Sequence, residues 1–569
     1  MLAEPRHGLP QPVLEGRRRL EAELLSRPRR VALRSNWFYR RLLKGPLTDH
    51  IAFQPHDACS PRLEDADALL RGRFRFYGET VDVAPGASVF DLPAPSRAWA
   101  EELHGFSWLA PLAAAGGEAA RLLATELIGQ WVTRYPHYCE PQWTAHVMAR
   151  RLMHIFSHSR SVVLNSDMMW RSRLFVSLRE QVRMLERTAS EAPDGLPRLE
   201  AASALTLSGL CLDDNSRRFA TGLALLDVEI TRQVLPDGGY VSRSPEDLLN
   251  AYRHLMMVKD ALAAANEEPP HNLRNALDRM APMLRFFRHG DGGLALFQGG
   301  QEGDPKMLAS LLARDEVRGQ PFGHARHSGY QRLAASRTLV QLDCGGVPGG
   351  ILSNQAHAGF LAFEMSSGPH RVVVNCGAGG KKHKGWDAPL RATAAHSTVT
   401  VGDRSAAEIL PPGMARDLLG PRLMGGPRDT STRRSETALG WMVEAGHDAY
   451  VPELGFRHER RITLSPQGLM VTGADRLVPV RAHREPVEFA LRFHIHPEIR
   501  MSRLEGGAIL LKLPNGEGWR FRAGGGELDV EESIYVGGDT VRRTEQLVVT
   551  GKVRESPVEA AWVFEQIVV

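Results

Sequence analysis

The stretch NQAHAGFLAFEMSSGPHRVVVNCG, Asn354–Gly377, is where the chain declares a sheet. FLAFEM and HRVVVN alternate with a period of two, and SSGP between them reads as a turn. His357 precedes the first of these strands, and Asn375 and Cys376 end the second. A histidine at the mouth of a strand is either a metal ligand or proton carrier, or a satisfied polar residue at a sheet edge. The rest of the chain has to decide.

Downstream of about Gly319 the same period continues through TLVQLD, HSTVTV, RITLS, LMVTG, FALRFHIH and AILLKL, with Gly, Pro and Asn between them. LPNGEGWRF puts Asn515 and Gly516 where a tight hairpin turn belongs. Many short strands at this spacing predict a large antiparallel β-sandwich. Upstream, between about Ala98 and Phe287, the period is helical. Met148, Leu152, Ile155 and Phe156 share a face, as do Phe219, Leu223, Leu226 and Ile230, then Leu248, Tyr252 and Leu255, then Leu273, Leu277, Met280, Leu284 and Phe287. Such successive amphipathic helices bury their stripes as stacked antiparallel pairs, closed in a ring or open as a solenoid. The expected fold class is multi-domain, α then β: a preface over 1–95, a helical toroid-like domain over 96–315 and a sandwich over 316–569.

A chain of 569 residues with 43% hydrophobic and 24% charged residues has ample material for two cores, and its net charge of +4 says little about partners. The charge is uneven: RRRLEAELLSRPRRVALRSNWFYRRLLKGP is basic with interleaved aromatics, suited to a polyanion or membrane surface, or to a solvated helix face with an aromatic anchor. Five scattered cysteines do not resemble a disulfide framework. The N-terminal residues lack the apolar core of a secretory signal, so a cytoplasmic location is expected, with a periplasmic one as the alternative. No transmembrane segment and no nucleic-acid module is read.

Three strand ends, at His357, at Asn375 and Cys376, and at His396 in RATAAHSTVTV, can converge in one sheet. Two imidazoles with a thiolate or amide oxygen would suit one divalent ion, zinc first, and two structural histidines would leave the same trace. His494 and His496 in LRFHIH share a strand face and read as a polar solvent face. In LPDGGYVSRSPEDLLNAY, Ser244 caps a helix that Pro245 begins. That leaves Tyr240 as a candidate general base, its pKa lowered by the nearby Arg243, and Arg243 as a candidate neutraliser of a substrate carboxylate. Tyr252 and, in RHGDGG, His289 and Asp291 are candidate substrate-binding residues. Loop acids recur at Asp213, Asp214, Asp237 and Asp291, where turn chemistry accounts for them equally well.

The segments AHAGFLAFEMSSG, RVVVNCG and RATAAHSTVTVGD, with DGG and RHGDGGLALFQGG upstream, resemble the heparinase II/III-like family. The resemblance implies an (α/α) toroid joined to an antiparallel sandwich, and eliminative cleavage of a uronic-acid polysaccharide such as a glycosaminoglycan. In that reaction the uronate carboxylate is neutralised, a tyrosine or histidine removes the C5 proton, and the leaving oxygen is protonated. Carried over by position, the catalytic first histidine of a His-x-His pair falls on Gln355, the second falls on His357 as a metal ligand with His396, and the expected aspartate falls on Asn375 beside Cys376. An Asn-His and a Tyr-His pair of active members correspond here to Leu196-Pro197 and Asp247-Leu248. The leading expectation is a polysaccharide lyase acting on an acidic polysaccharide or oligosaccharide. The alternative is a non-catalytic acidic-glycan-binding or polysaccharide-assembly protein that keeps the fold, and a hydrolase using loop carboxylates is a third reading.

Overall fold

In a computed structural model of the chain, the described residues are 34, 37–45, 50–58, 61–163, 166–212, 216–316, 318–379, 383, 385–538 and 540–567. Asp213, Asp214 and most of the basic N-terminal stretch lie outside them. Of that stretch, the helix Trp37–Leu43 packs on the body, with Leu43 buried and the Tyr39 hydroxyl against the Met184 sulfur at 3.8 Å.

The period-3.6 segments are helices. Leu196–Cys211 packs against Ala145–Ser157, Ser216–Gln233 and Pro245–Ala264, and His271–Phe287 packs against both Pro245–Ala264 and Ser216–Gln233. Their stripes form one core in which Met148, Leu152, Leu205, Leu255 and Leu284 are fully buried. Ser244 caps Pro245–Ala264 as expected, its Oγ accepting from the Asp247 amide. The last helix of the helical body ends at Ala313 and the sandwich strands begin at His324. One element before the helical body is not anticipated by the sequence reading: Arg73–Phe76 and Glu79–Asp82 form a two-stranded hairpin.

The sandwich has two antiparallel sheets among the described residues. One runs Glu527–Tyr535, Arg542–Val553, Val487–Ile495, His370–Val374, Phe363–Ser367, Thr338–Asp343, Tyr330–Ala335, His324–Ala325, with Val399–Val401 also paired to Val487–Ile495. The other runs Thr430–Thr437, Gly440–His447, Phe456–Leu464, Met470–Pro479, Val558–Ile567, Gly518–Gly524, Ile509–Lys512, Arg500–Arg503. Alternate residues of both meet in a core of Phe363, Phe493, Phe521, Trp562 and Phe564. The hairpin at Asn515-Gly516 forms as expected.

Two turns of the same design fasten the helical domain to the first sheet. Each follows a helix, closes an isolated bridge (Val234 to Tyr240, Arg288 to Leu294) and uses an Asp-Gly-Gly in which the aspartate accepts the amide two residues on. Asp237 then accepts from the Ser328 amide and hydroxyl at 2.7 Å, and Asp291 pairs with Arg371 at 2.7 Å. The approach is so close that a Cβ on Gly290 would lie 1.8 Å from the Gly368 carbonyl oxygen. Only glycine fits there.

Inside the sandwich Asp475 bonds Arg460 and His458, both at 2.7 Å, and the Trp562 indole at 2.9 Å. Burial pushes its carboxyl up, but Arg460 and His458 outweigh this and hold it at about 2. A carboxyl so depressed stabilises the fold above its unfolded pKa of about 3.9, and the contribution is lost as pH falls through the folded value. Asp475→Asn is expected to lower stability by about 3–5 kcal/mol at neutral pH. Urea titrations at descending pH should show the gap to wild type closing between about pH 4 and 2. A gap that does not depend on pH would reject an ionised Asp475. At the seam, Arg371→Leu removes the partner of solvent-facing Asp291 and leaves the Leu294 carbonyl unbonded, and should cost about 1–3 kcal/mol, read from the urea midpoint.

Candidate functional site

His357 and His396 do meet. The loop before Phe363–Ser367 is clipped by Arg391, whose Nε donates to the Ala356 carbonyl and Nη2 to that of Ser353, both at 2.9 Å, and by Thr393, whose hydroxyl donates to the Ala358 carbonyl at 2.7 Å. This sets His357 Nδ1 at 3.1 Å from His396 Nε2, with the rings nearly perpendicular. His396 Nδ1 lies 2.9 Å from the Ala392 carbonyl and must donate to it. Its Nε2 therefore accepts from His357 Nδ1–H, and His357 Nε2 is left with a bare lone pair. Burial, then His396 and Arg391, push His357 well below its usual pKa. Burial brings His396 down to about 4, although the Ala392 carbonyl acts the other way. Both are neutral at pH 7.

His357 lines a cleft of about 510 Å³ between the domains, with Gly299, Gln301 and Glu246 from the helical side and Asn354, Gln355 and Asp387 from the sandwich. Gln355 is exposed in it. Glu246 accepts from the Gln301 amide at 3.2 Å. Asn354 Oδ1 and His383 Nε2, both of cleft-lining residues, are buried without a hydrogen-bond partner among the described residues. Tyr77 and Glu79 of the unanticipated hairpin complete one wall. The signal for them was present as Tyr-Gly between the alternating RFRF and ETVD.

The other candidates are placed elsewhere. Asn375 is fully buried: its amide nitrogen donates to the Leu296 carbonyl at 3.2 Å and to Glu364 at 3.1 Å, and its Oδ1 accepts from the Ser397 amide. Cys376 points to the opposite side, 3.4 Å from His494 Nδ1, and burial pushes its thiol up to about 12. No group of three metal-ligating side chains occurs among the described residues. With both His396 nitrogens engaged and Asn375 committed to Glu364, the donor set does not fit a zinc centre. His494 and His496 are buried, not a solvent face, because His494 Nδ1 lies 2.8 Å from the Ser533 hydroxyl and His496 packs edge-on against the Tyr535 ring.

Tyr240 donates its hydroxyl to Gln233 inside the helical core. Burial pushes its pKa well up, and Asp247, Glu200 and Glu229 push the same way, opposite to the expected lowering by Arg243. Arg243 turns into the seam, pairing with Asp343, donating to the Ser328 and Gly346 carbonyls, and lying over the Tyr330 ring at 4.8 Å. Tyr252 is in the helical core at 1% exposure. His289 bonds Ser366 at 3.0 Å and Glu364 at 2.9 Å, and Asp291 holds Arg371, so both act at the seam. Leu196-Pro197 opens a helix, and Asp247 stands in the first turn of another.

Comparison with known proteins agrees with this architecture. The model of the heparinase II/III-like C-terminal domain matches residues 317–563. FtsZ-localized protein C of Caulobacter vibrioides is 30% identical over 533 residues, 91% of each chain. Among solved structures, heparinase III superposes with a TM-score of 0.71 at 14% identity, covering 93% of this chain and 88% of that one. Heparan sulfate lyase HepC from Pedobacter heparinus gives 0.56 at 15%, covering 93% and 87%. At such identities the two lyases speak to the fold, an (α/α) toroid followed by a β-sandwich. Family model, full-length relative and superposition agree that the chain belongs to the heparinase II/III-like family, on a polysaccharide-lyase-type scaffold.

Proposed function

We propose that this protein is a binding member of its family, holding an acidic glycan in the cleft between the domains without cleaving it. One observation carries the reading: Tyr240 and Arg243, the candidate base and neutraliser, are both internal, bonded to Gln233 and Asp343. β-Elimination needs a cation or amide array at the carboxylate and a base at the C5 proton together, because each alone leaves the carbanion too high in energy. Of the histidines read from the strand ends, His357 alone offers the cleft a bare ring nitrogen, and Gln355 beside it cannot accept a proton at neutral pH. The four cysteines among the described residues are free, which agrees with a cytoplasmic setting, and no described helix is long and apolar enough to cross a membrane.

A second reading concerns where it acts. Similarity over nine-tenths of both chains to a protein named for localisation with FtsZ favours a place beside FtsZ.

Three outcomes are expected. Ultraviolet absorbance of the unsaturated uronate product stays flat over heparan, hyaluronan, chondroitin and alginate, with or without chelator, while the same glycans bind in calorimetry. A rise that His357→Ala abolishes would instead establish a lyase with His357 as its base. ¹⁵N spectra of the imidazoles show His357 protonated on Nδ1 only, with no titration between pH 8 and about pH 6. The full-length protein co-sediments with FtsZ polymers, and a fluorescent fusion that stays diffuse in dividing cells would remove the second reading.

A further inference from the structure

We infer that the cleft continues into a second chamber, and that Tyr77 at their junction is the platform on which an extended oligosaccharide stacks, with Arg75 receiving an anionic substituent beyond it. This rests on the glycan-binding reading and extends it to chain length. The second chamber, of about 770 Å³, is lined by residues that include Arg62, Arg73, Arg75, Glu102 and Trp108. Tyr77 and His383 line both chambers.

The backbone at Tyr77 is the second observation. Phe76 pairs with Glu79, so Tyr77 and Gly78 are a two-residue hairpin loop, with φ of 52° and 71°. Positive φ at both positions is the primed turn that Asn-Gly adopts without strain. An aromatic side chain there is strained. Strain of this kind persists where the side chain serves a site.

Third, the ring is anchored. Its hydroxyl donates to Glu102 at 3.4 Å; Glu102 also receives Arg150, which holds the buried Glu200 at 2.9 Å. A tyrosine pinned at its polar end presents a large, rigid, half-buried surface at low entropic cost. Among the cations of the second chamber, Arg62 is neutralised by Asp65 and Arg73 by Asp82, whereas exposed Arg75 has no ion pair among the described residues. A sulfate or carboxylate on a sugar past Tyr77 supplies its counter-charge.

The test is calorimetric titration of the full-length protein with heparan di-, tetra- and hexasaccharides, comparing wild type, Tyr77→Gly and Tyr77→Phe. Glycine is at ease at this φ, so Tyr77→Gly should keep or raise the urea midpoint while removing the ring. Wild-type affinity is expected to rise with length. Tyr77→Gly should lose about tenfold for the hexasaccharide and nothing for the disaccharide, with Tyr77→Phe close to wild type. A folded Tyr77→Gly that binds the hexasaccharide like wild type overturns the platform alone. Failure of wild type to bind any length overturns the glycan reading, and the platform with it.

Discussion

The structure depends on charges buried where the helical domain meets the first sheet. Arg243 with Asp343 and the neutral His289 with Glu364 join the domains almost without water, and the buried Arg371 reaches out to a solvent-facing Asp291. Charges removed from water at such cost persist only when every partner is in place, so they specify one arrangement of the domains more than they add net stability. The cleft is a by-product of that arrangement, because Gln298, which donates to Asp343 at 2.8 Å, also accepts from the His357 amide. The seam and the site share a residue.

The same economy explains what became of the candidate chemistry. Glu364 takes bonds from His289, the Leu296 amide and Asn375, which makes the Asn375 position a junction between domains. A carboxylate there would face Glu364 across a buried bond, where the carboxamide donates instead. The histidine pair follows suit, with His396 oriented by a carbonyl and His357 by His396.

Much of this was legible in the chain. The switch of period near Gly319, the helical stripes and the Ser244 cap are local properties, and each is found as read. The meeting of His357 with His396 was legible because both start strands of one sheet. Asn375 and Cys376 were misassigned as a pair because neighbours at a strand end point to opposite sides, one to Glu364 and the other to His494. Tyr240, Arg243, His289 and Asp291 look like loop residues from their sequence. Tyr240 is taken up by Gln233 within its own helical core, and the other three are claimed by the sandwich, whose partners Asp343, Glu364 and Arg371 arrive from 75 or more residues away.

The two Asp-Gly-Gly turns have a kinetic consequence. Fastened twice, by Asp237 and by Asp291, the toroid has no evident hinge against the sandwich, so the cleft is presented at one width. On the binding reading, a ligand would insert into a preformed slot in a single exponential phase, with selectivity expressed in how long it stays and not in a slow closing step.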